Sequence, residues 1–228
     1  MIVAIHQPQY LPWLGYFDKI QKADVFILLD DVQFKKNEWQ NRNRIKTPQG
    51  AQWITVPVRH QFGQLINEVA LDQKMNWSNN HLKTLTLNYK KAPYFDEFII
   101  HFENIYAQSW QKLVDINVEI IKVLVKILKI ETKIVMSSTI QTDNHPTQRL
   151  IDLCLHFNAD QYLSGPDGPN YMDMAKFQEN NLNLIIQKFE HPQYPQLWNQ
   201  KQSEFISHLS IVDLLFNVGQ DALNVLKN

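Results

Sequence analysis

The sequence predicts an α/β protein: a mostly parallel sheet flanked by helices, with a helical middle and a helical C-terminal section. Three observations predict it. Ile2-Val3-Ala4-Ile5 is a short apolar run that halts at His6-Gln7, and Val25-Phe26-Ile27-Leu28-Leu29 is a second that halts at Asp30-Asp31. Strands buried on both faces lose polar alternation, so both runs read as interior strands. Between them Leu14, Phe17, Ile20 and Ala23 recur at helical spacing, which makes a βαβ start. Strand-like and helix-like stretches then alternate to the C-terminus, the signature of an α/β sheet. Both strands of a βαβ unit end on the same sheet edge. His6-Gln7 and Asp30-Asp31 are therefore expected in one crevice, where open α/β sheets place their ligands.

In chain order, a Pro-punctuated turn (Pro8, Tyr10, Pro12, Trp13) leads into the first helix. After Asp31 a polar, glycine-free connection runs from Gln33 to Arg44, long enough to suggest a functional loop. Pro48-Gln49-Gly50 makes a turn. Gln52 to Val58 reads as a strand, with Pro57 marking an edge or an end. Ile66 to Leu71 suggests a further short strand. Residues 77–91 and 94–107 read as helices separated by Pro93, with Ser78 as the N-cap of the first. An amphipathic helix from about Ser109 to Ile130 completes the helical middle. Thr132 to Ser137 is the next strand, followed by a helix over 146–157 with Pro146 in its first turn. Gln161 to Leu163 forms a brief strand entering a glycine-rich loop, Ser164 to Tyr171. Met172 to Glu179 reads as a helix and Leu182 to Phe189 as a strand. Ser210 to Phe216 and Asp221 to Leu226 form a helical pair, with Ser210 and Asp213 spaced as a capping box.

Composition narrows the class. At 228 residues the chain is expected to form a single α/β domain over 1–228, its helical section at about 77–130, with a core of its own. A formal net charge of -1 argues against a nucleic-acid partner. Cys154 is the only cysteine, which excludes a disulfide framework and cysteine-clustered zinc. Its apolar helical neighbours make it a buried small hydrophobe. Trp110 to Ile130 is the longest apolar stretch, yet charges recur along it at steps of three and four. It is amphipathic and not membrane-spanning. With no signal segment before Ile2, the expected location is cytoplasmic.

Several residues can carry chemistry. His6 ends an apolar strand and titrates near neutrality, which suits a general base or a phosphate ligand. It can equally be a histidine bonded to a backbone carbonyl. Burying Gln7, Asp30 and Asp31 without partners would be costly, so they face a ligand, a metal or each other. One of the two aspartates can hold Mg²⁺ beside substrate phosphates, since that ion uses few protein oxygens. Alternate strand side chains point oppositely, so one aspartate at most faces the crevice. Lys35, Lys36, Arg42 and Arg44 offer anion donors. Trp39 can stack on a base or sugar, and Tyr10, Gln33 and Asn41 add hydrogen-bonding groups. Ser164, Gly165, Asp167 and Gly168, with Tyr171 close behind, have the parts of an anion nest or of a plain tight turn. His191 lies in a Pro-rich stretch that is a third wall of the site or a rigid loop. The chain carries no Walker loop, GxGxxG, GxSxG or HExxH, so the common fingerprints of an NTPase, dehydrogenase, hydrolase or zinc enzyme are missing.

The blocks HQPQYLPWLGYFDKI, ADVFILLDDVQFKKNEWQNRNRI, WITVPV, NYKKAPYF, YLSGPDGPNYMD and HLSIVDLLFNVG together resemble the WbqC-like protein family from end to end. Members occur in bacterial gene clusters for O-antigen and other surface polysaccharides, and a glycine transferase role has been suggested for some. The resemblance implies a cytoplasmic enzyme that modifies a sugar nucleotide or a similar activated precursor. A more distant likeness is to the nucleotidylyl-transferase type of α/β fold, with Gln33-Phe34 near the second strand. Where that fold carries its His-x-Gly-His signature this chain has Trp13-Leu14-Gly15-Tyr16, and only the glycine matches.

Two functions compete at this point. One is a transferase joining an aminoacyl or acyl group to an amine or sugar, with His6 and one aspartate as catalytic residues and Arg42 with Lys35 clamping an anion. The other is a non-catalytic pocket for a nucleotide or sugar, or a partner subunit of a biosynthetic cluster, using exposed Trp39 and Trp198. Both take a small-molecule ligand, a sugar nucleotide or amino-acid derivative, and need neither nucleic acid nor membrane. Mg²⁺ and a nucleotide are the cofactors to consider, and a homo-oligomer is left open.

Overall fold

A computed structural model describes residues 1–198 and 205–227. In chain order the strands are β1 (Ile2–His6), β2 (Val25–Leu28), β3 (Arg42–Thr47), β4 (Gly50–Thr55), β5 (Val58–Arg59), β6 (Ala70–Leu71), β7 (Lys133–Met136), β8 (Gln161–Ser164) and β9 (Asn183–Ile186). The helices are α1 (Leu14–Gln21), α2 (Trp77–Tyr89), α3 (Phe95–Tyr106), α4 (Leu113–Ile127), α5 (Pro146–His156), α6 (Met174–Glu179), α7 (Ile211–Val218) and α8 (Ala222–Lys227). The chain divides into two compact units. The first comprises residues 1–7, 15–31 and 130–190, the second residues 8–14, 32–129 and 191–228.

The first unit is the α/β sheet that the opening runs predict. Its strands lie in the order β7-β2-β1-β8-β9, and every pairing is parallel. From β1 the chain winds outward through β2 to β7, then crosses back to β8 and β9. The direction of winding reverses between β1 and β8. Alternation along the strands serves two layers. Val3, Ile5, Val25 and Ile27 pack with Leu150, Ile151 and Cys154 of α5 and Phe177 of α6. On the opposite face Phe26 meets Tyr16 of α1, ring centroids 5.2 Å apart. Cys154 is fully buried, and burial raises its thiol to about 12, as expected of a small core hydrophobe.

The second unit holds the helical middle, α7, α8 and two small antiparallel pairs, β3–β4 and β5–β6. Phe216 of α7 anchors it, its ring 5.2 Å from Tyr89, 5.2 Å from Phe95 and 5.8 Å from Phe102. Gly219 ends α7 at φ 73°, and a Cβ there would lie 2.4 Å from the Tyr94 ring. No described helix is long and apolar enough to cross a membrane.

Several local expectations are corrected. The connection through Arg44 is not loop throughout, because Arg42 onward forms β3, paired with β4 from Arg42↔Thr55 to Thr47↔Gly50. The strand expected over Gln52–Val58 breaks at Pro57, which lies between β4 and β5 and has no N–H to give a ladder. Ile66–Leu71 is a 3-10 turn followed by the two residues of β6, since the Glu68 carboxylate caps Leu65 N at 3.1 Å. Ser78 lies inside α2, whose N-cap is Asn76. Ser210 does cap α7, but Asp213 completes no capping box, because its carboxylate faces the interior.

Candidate active site

At the carboxyl edge of the parallel sheet, β1 delivers His6 to the point where the winding reverses. Open α/β sheets bind ligands in that crevice. His6 Nδ1 lies 3.2 Å from Gln7 O, the geometry of an N–H donating to a carbonyl. In that tautomer Nε2 is left as the acceptor. The ring packs edge-on against Tyr16 at 5.0 Å, and Tyr16 donates its hydroxyl to Gln7 O at 3.1 Å. Burial, then the nearby Lys19 ammonium, push the imidazole down to about 3. His6 is a neutral hydrogen-bonding group at physiological pH and, as it stands, a weak base. Lys19 is 2% exposed and donates to Ile5 O at 2.8 Å. Burial lowers it to about 7.

The structure separates the two aspartates. Asp30 is 2% exposed. Its carboxylate accepts from Ser138 N at 3.0 Å and Ser138 Oγ at 2.7 Å and lies 3.0 Å from Ser137 Oγ, whose single proton it shares with Asp31, so it holds the turn after β7 in place. Asp31 is half-buried. It lies 2.5 Å from Ser137 Oγ and has Arg149 Nη1 3.8 Å from its other oxygen. Arg149 also donates to Asp31 O at 3.1 Å. Hydroxyls and a guanidinium already serve these oxygens. Among the described residues no group of three or more His, Cys, Asp and Glu gathers as a metal site.

On the other side of β1, Ser164 ends β8, fully buried. Its hydroxyl donates to Gly165 O at 3.1 Å. The following loop spends its amides on itself: Gly168 N bonds Gly165 O, Asn170 N bonds Asp167 O, and Tyr171 N and Met172 N bond Gly168 O. Those donors make a tight turn and leave no anion nest of these four amides. Asp167 and Tyr171 are exposed. A Cβ on Gly168 would lie 2.0 Å from Ser164 Oγ and 2.7 Å from Met172 Cε. Gly168→Ala should therefore displace Ser164 and cost ~1–3 kcal/mol, read by urea unfolding; a variant as stable as the parent would show that the loop shifts freely.

The remaining predicted residues belong to the second unit. Tyr10 is wholly interior. Its hydroxyl lies 2.7 Å from His81 Nδ1 and 2.5 Å from Tyr106 OH, while His81 Nε2 lies 3.1 Å from Thr55 O. This chain of phenols and imidazole places the Tyr10 hydroxyl in the core. Asn41 is likewise structural, 1% exposed, with its amide donating to Val56 O at 3.0 Å and its oxygen accepting from Asn37 N at 3.0 Å. Gln33 and Lys35 are exposed. Trp39 and Trp198 are half-buried, not exposed as expected, and Trp198 donates to Asn88 O at 2.9 Å. The exposed tryptophan is Trp53, at 43%. Arg42 stacks on it, Cζ 4.1 Å from the ring centroid. His191 is half-buried, its Nδ1 2.9 Å from Pro192 O and its ring 5.2 Å from His208.

With this geometry in view, comparison with known proteins is informative. The sequence model of the WbqC-like protein family matches residues 7–225. The chain belongs to the WbqC-like protein family. It is similar to a Mycobacterium tuberculosis (strain ATCC 25618 / H37Rv) protein named Uncharacterized protein Rv1507c. The two are 38% identical over 229 residues, covering 99% of this chain and 97% of the relative. No solved structure matches.

Sequence reasoning missed three features of this WbqC-like protein. Lys19 occupies a helix position among Tyr16, Phe17 and Ile20, and a lone cation on that apolar stripe is the signal that could have found it. Ser137 and Ser138 follow a strand, as His6 and Asp30 do, and so arrive at the same kind of edge. Lys46, Tyr89, Tyr194, Gln196 and Asp213 form a buried polar network, for which separation in sequence left no local signal.

Proposed function

We propose that this WbqC-like protein is a cytoplasmic transferase of surface-polysaccharide or related biosynthesis. It joins an aminoacyl group, glycyl in the role suggested for the family, or another acyl group to an amine or a sugar-nucleotide precursor. The observation that carries this reading is the neutral His6, placed with its acceptor nitrogen at the winding reversal of a parallel sheet. In the step envisaged, the amine nitrogen attacks the acyl carbonyl carbon, the C–N bond forms, and the bond to the leaving group breaks with its electron pair. His6 Nε2 accepts a hydrogen bond from the amine N–H and orients its lone pair. Asp31, with oxygens less committed than those of Asp30, takes up the departing proton. Gln7 supplies a further polar group at the same edge, while Ser164, buried and bonded to Gly165 O, shapes the loop beside it. In the second unit Arg42 and Lys35 are the cations offered to an anionic ligand, and Trp39 the ring.

Incubation with amino acids, acyl donors and sugar nucleotides, followed by mass spectrometry, identifies the product. On that substrate His6→Ala and Asp31→Asn should each cut turnover by ~10²-fold or more, with circular dichroism unchanged. Full activity in both variants overturns the mechanism. The low proton affinity of His6 favours a second reading, a pocket that binds a nucleotide or sugar without transforming it. A thermal-shift response with no new product would support that reading, since binding to the native state raises stability whatever follows.

A further inference from the structure

We propose that the face of the β3–β4 hairpin carrying Arg42, Arg44 and Trp53 is a phosphate-binding site, taking the phosphate of a nucleotide or of a phosphorylated sugar. The inference deepens the anion-holding part of the proposed function and rests on that reading for Arg42; Arg44 and Trp53 are added by the geometry. Over the first four residues of β3 burial alternates, with Asn43 and Ile45 buried and Arg42 and Arg44 half-exposed, so the two arginines share one face, which closes over at the buried Lys46. Trp53 pairs directly with Arg44 across the hairpin. The guanidinium carbons lie 4.1 Å and 5.8 Å from its ring centroid, and Trp39 leans on the same ring at 5.5 Å.

Among the described residues no carboxylate answers these two guanidiniums. Between Glu38 and Glu68 the sequence has no Asp or Glu, while Arg42, Arg44, Lys46 and Arg59 fall in that interval. Among the described residues, Arg42 and Arg44 form no ion pair. The Nε atom of each is shielded from water and has no acceptor among the described residues. Arg44 Nη2 reaches His208 O at 3.4 Å, the long end of hydrogen-bond range. Those Nε–H groups are closed to solvent and so to a ligand, which leaves the outer Nη groups of the two half-exposed arginines to grip an anion. Stacking on tryptophan holds the guanidinium planes in advance, so less rotamer freedom is lost on binding. Two guanidiniums around one ring suit a phosphate dianion, which each can grip through two N–H groups.

Isothermal titration of the full chain at low salt, with inorganic phosphate, pyrophosphate, uridine diphosphate and glucose 1-phosphate, tests the site. Binding of at least one is expected, and the pattern distinguishes nucleotide from sugar phosphate. Arg42→Gln and Arg44→Gln should each weaken it at least about ten-fold, and Arg44→Lys should recover only part of the loss. Arg59→Gln, which breaks a pair with Asp72, should bind as the parent does. Thermal melts confirm that each variant is folded. No binding of any of the four compounds at millimolar concentration overturns the site, as does binding that Arg44→Gln leaves within about two-fold. If titration fails while His6→Ala abolishes product formation, the phosphate site alone falls; if His6→Ala stays active and the hairpin variants lose binding, the transfer mechanism alone falls.

Discussion

Lys19→Met is expected to raise stability by on the order of 3 kcal/mol at neutral pH. The ammonium is 2% exposed, accepts no carboxylate partner among the described ion pairs, and is held by the Ile5 carbonyl at 2.8 Å. Burial brings it from 10.5 to about 7, and each unit corresponds to about 1.4 kcal/mol. Keeping that charge inside therefore costs on the order of 5 kcal/mol. Methionine keeps the volume and gives up a hydrogen bond of about 1–2 kcal/mol. The sign with pH follows from linkage. Between about 7 and 10.5 the unfolded chain binds more protons than the folded one, so the parent gains stability as pH rises through that window. The variant should lose this slope, and urea unfolding at stepped pH measures it. A less stable variant at pH 7 would refute the account. Removing the cation should also lift His6 above about 3, though burial, the larger cause, keeps it below 6.5; an imidazole NMR titration reads this directly. A residue that costs stability where it touches a candidate site is the pattern left when function opposes folding.

Asp213→Ala is expected to act in the opposite direction, costing ~3–5 kcal/mol. Asp213 is 0% exposed. It accepts from Tyr89 OH, Tyr194 OH and Gln196 Nε2, each at 2.9 Å, and Gln196 Oε1 in turn accepts from Lys46 Nζ at 2.9 Å. Truncation leaves two phenols and an amide without their acceptor and Lys46 without the nearby charge that favours its ionisation. Thermal unfolding should show the loss, and Tyr89→Phe and Tyr194→Phe should each cost ~1 kcal/mol. A loss under about 1 kcal/mol in Asp213→Ala would mean that the network relaxes without strain. Burial raises the Asp213 carboxyl above 3.8. Between 3.8 and the raised folded value the folded chain binds more protons than the unfolded one, so the part of stability linked to this ionisation falls as pH climbs through that window. The comparison of variant and parent belongs on both sides of that window.

Much of the sheet was legible because its strands carry local signals. Two apolar runs with a helical stripe between them sufficed to place β1, α1 and β2, and parallel pairing from Val3↔Val25 to His6↔Leu28 bears out the βαβ start. Pro146 marked the start of α5 for the same reason, its missing N–H being harmless in a first turn. β3 was not legible. Its polar side chains obscured an alternation whose buried partners are Asn43 and Ile45, and Asn43 is held inside by a 2.7 Å bond to Leu11 O. Tyr10 and Asn41 looked like ligand contacts because a polar atom in a turn or loop has the same sequence whether it meets a ligand or a neighbouring backbone group.

By itself the sequence determined the strand runs, the amphipathic helices, the buried cysteine and the family, because each depends on residues close in the chain or on order along it. Only the tertiary structure decided that Asp30 is held by Ser138 and Ser137 while Asp31 is less committed, that Lys19 lies beneath His6's strand, and that Arg42 and Arg44 flank Trp53 with no ion pair among the described residues. The reason is physical. Whether a polar group is free to act depends on which partners fold against it, and those partners lie more than a hundred residues away, as Ser138 does from Asp30 at a separation of 108.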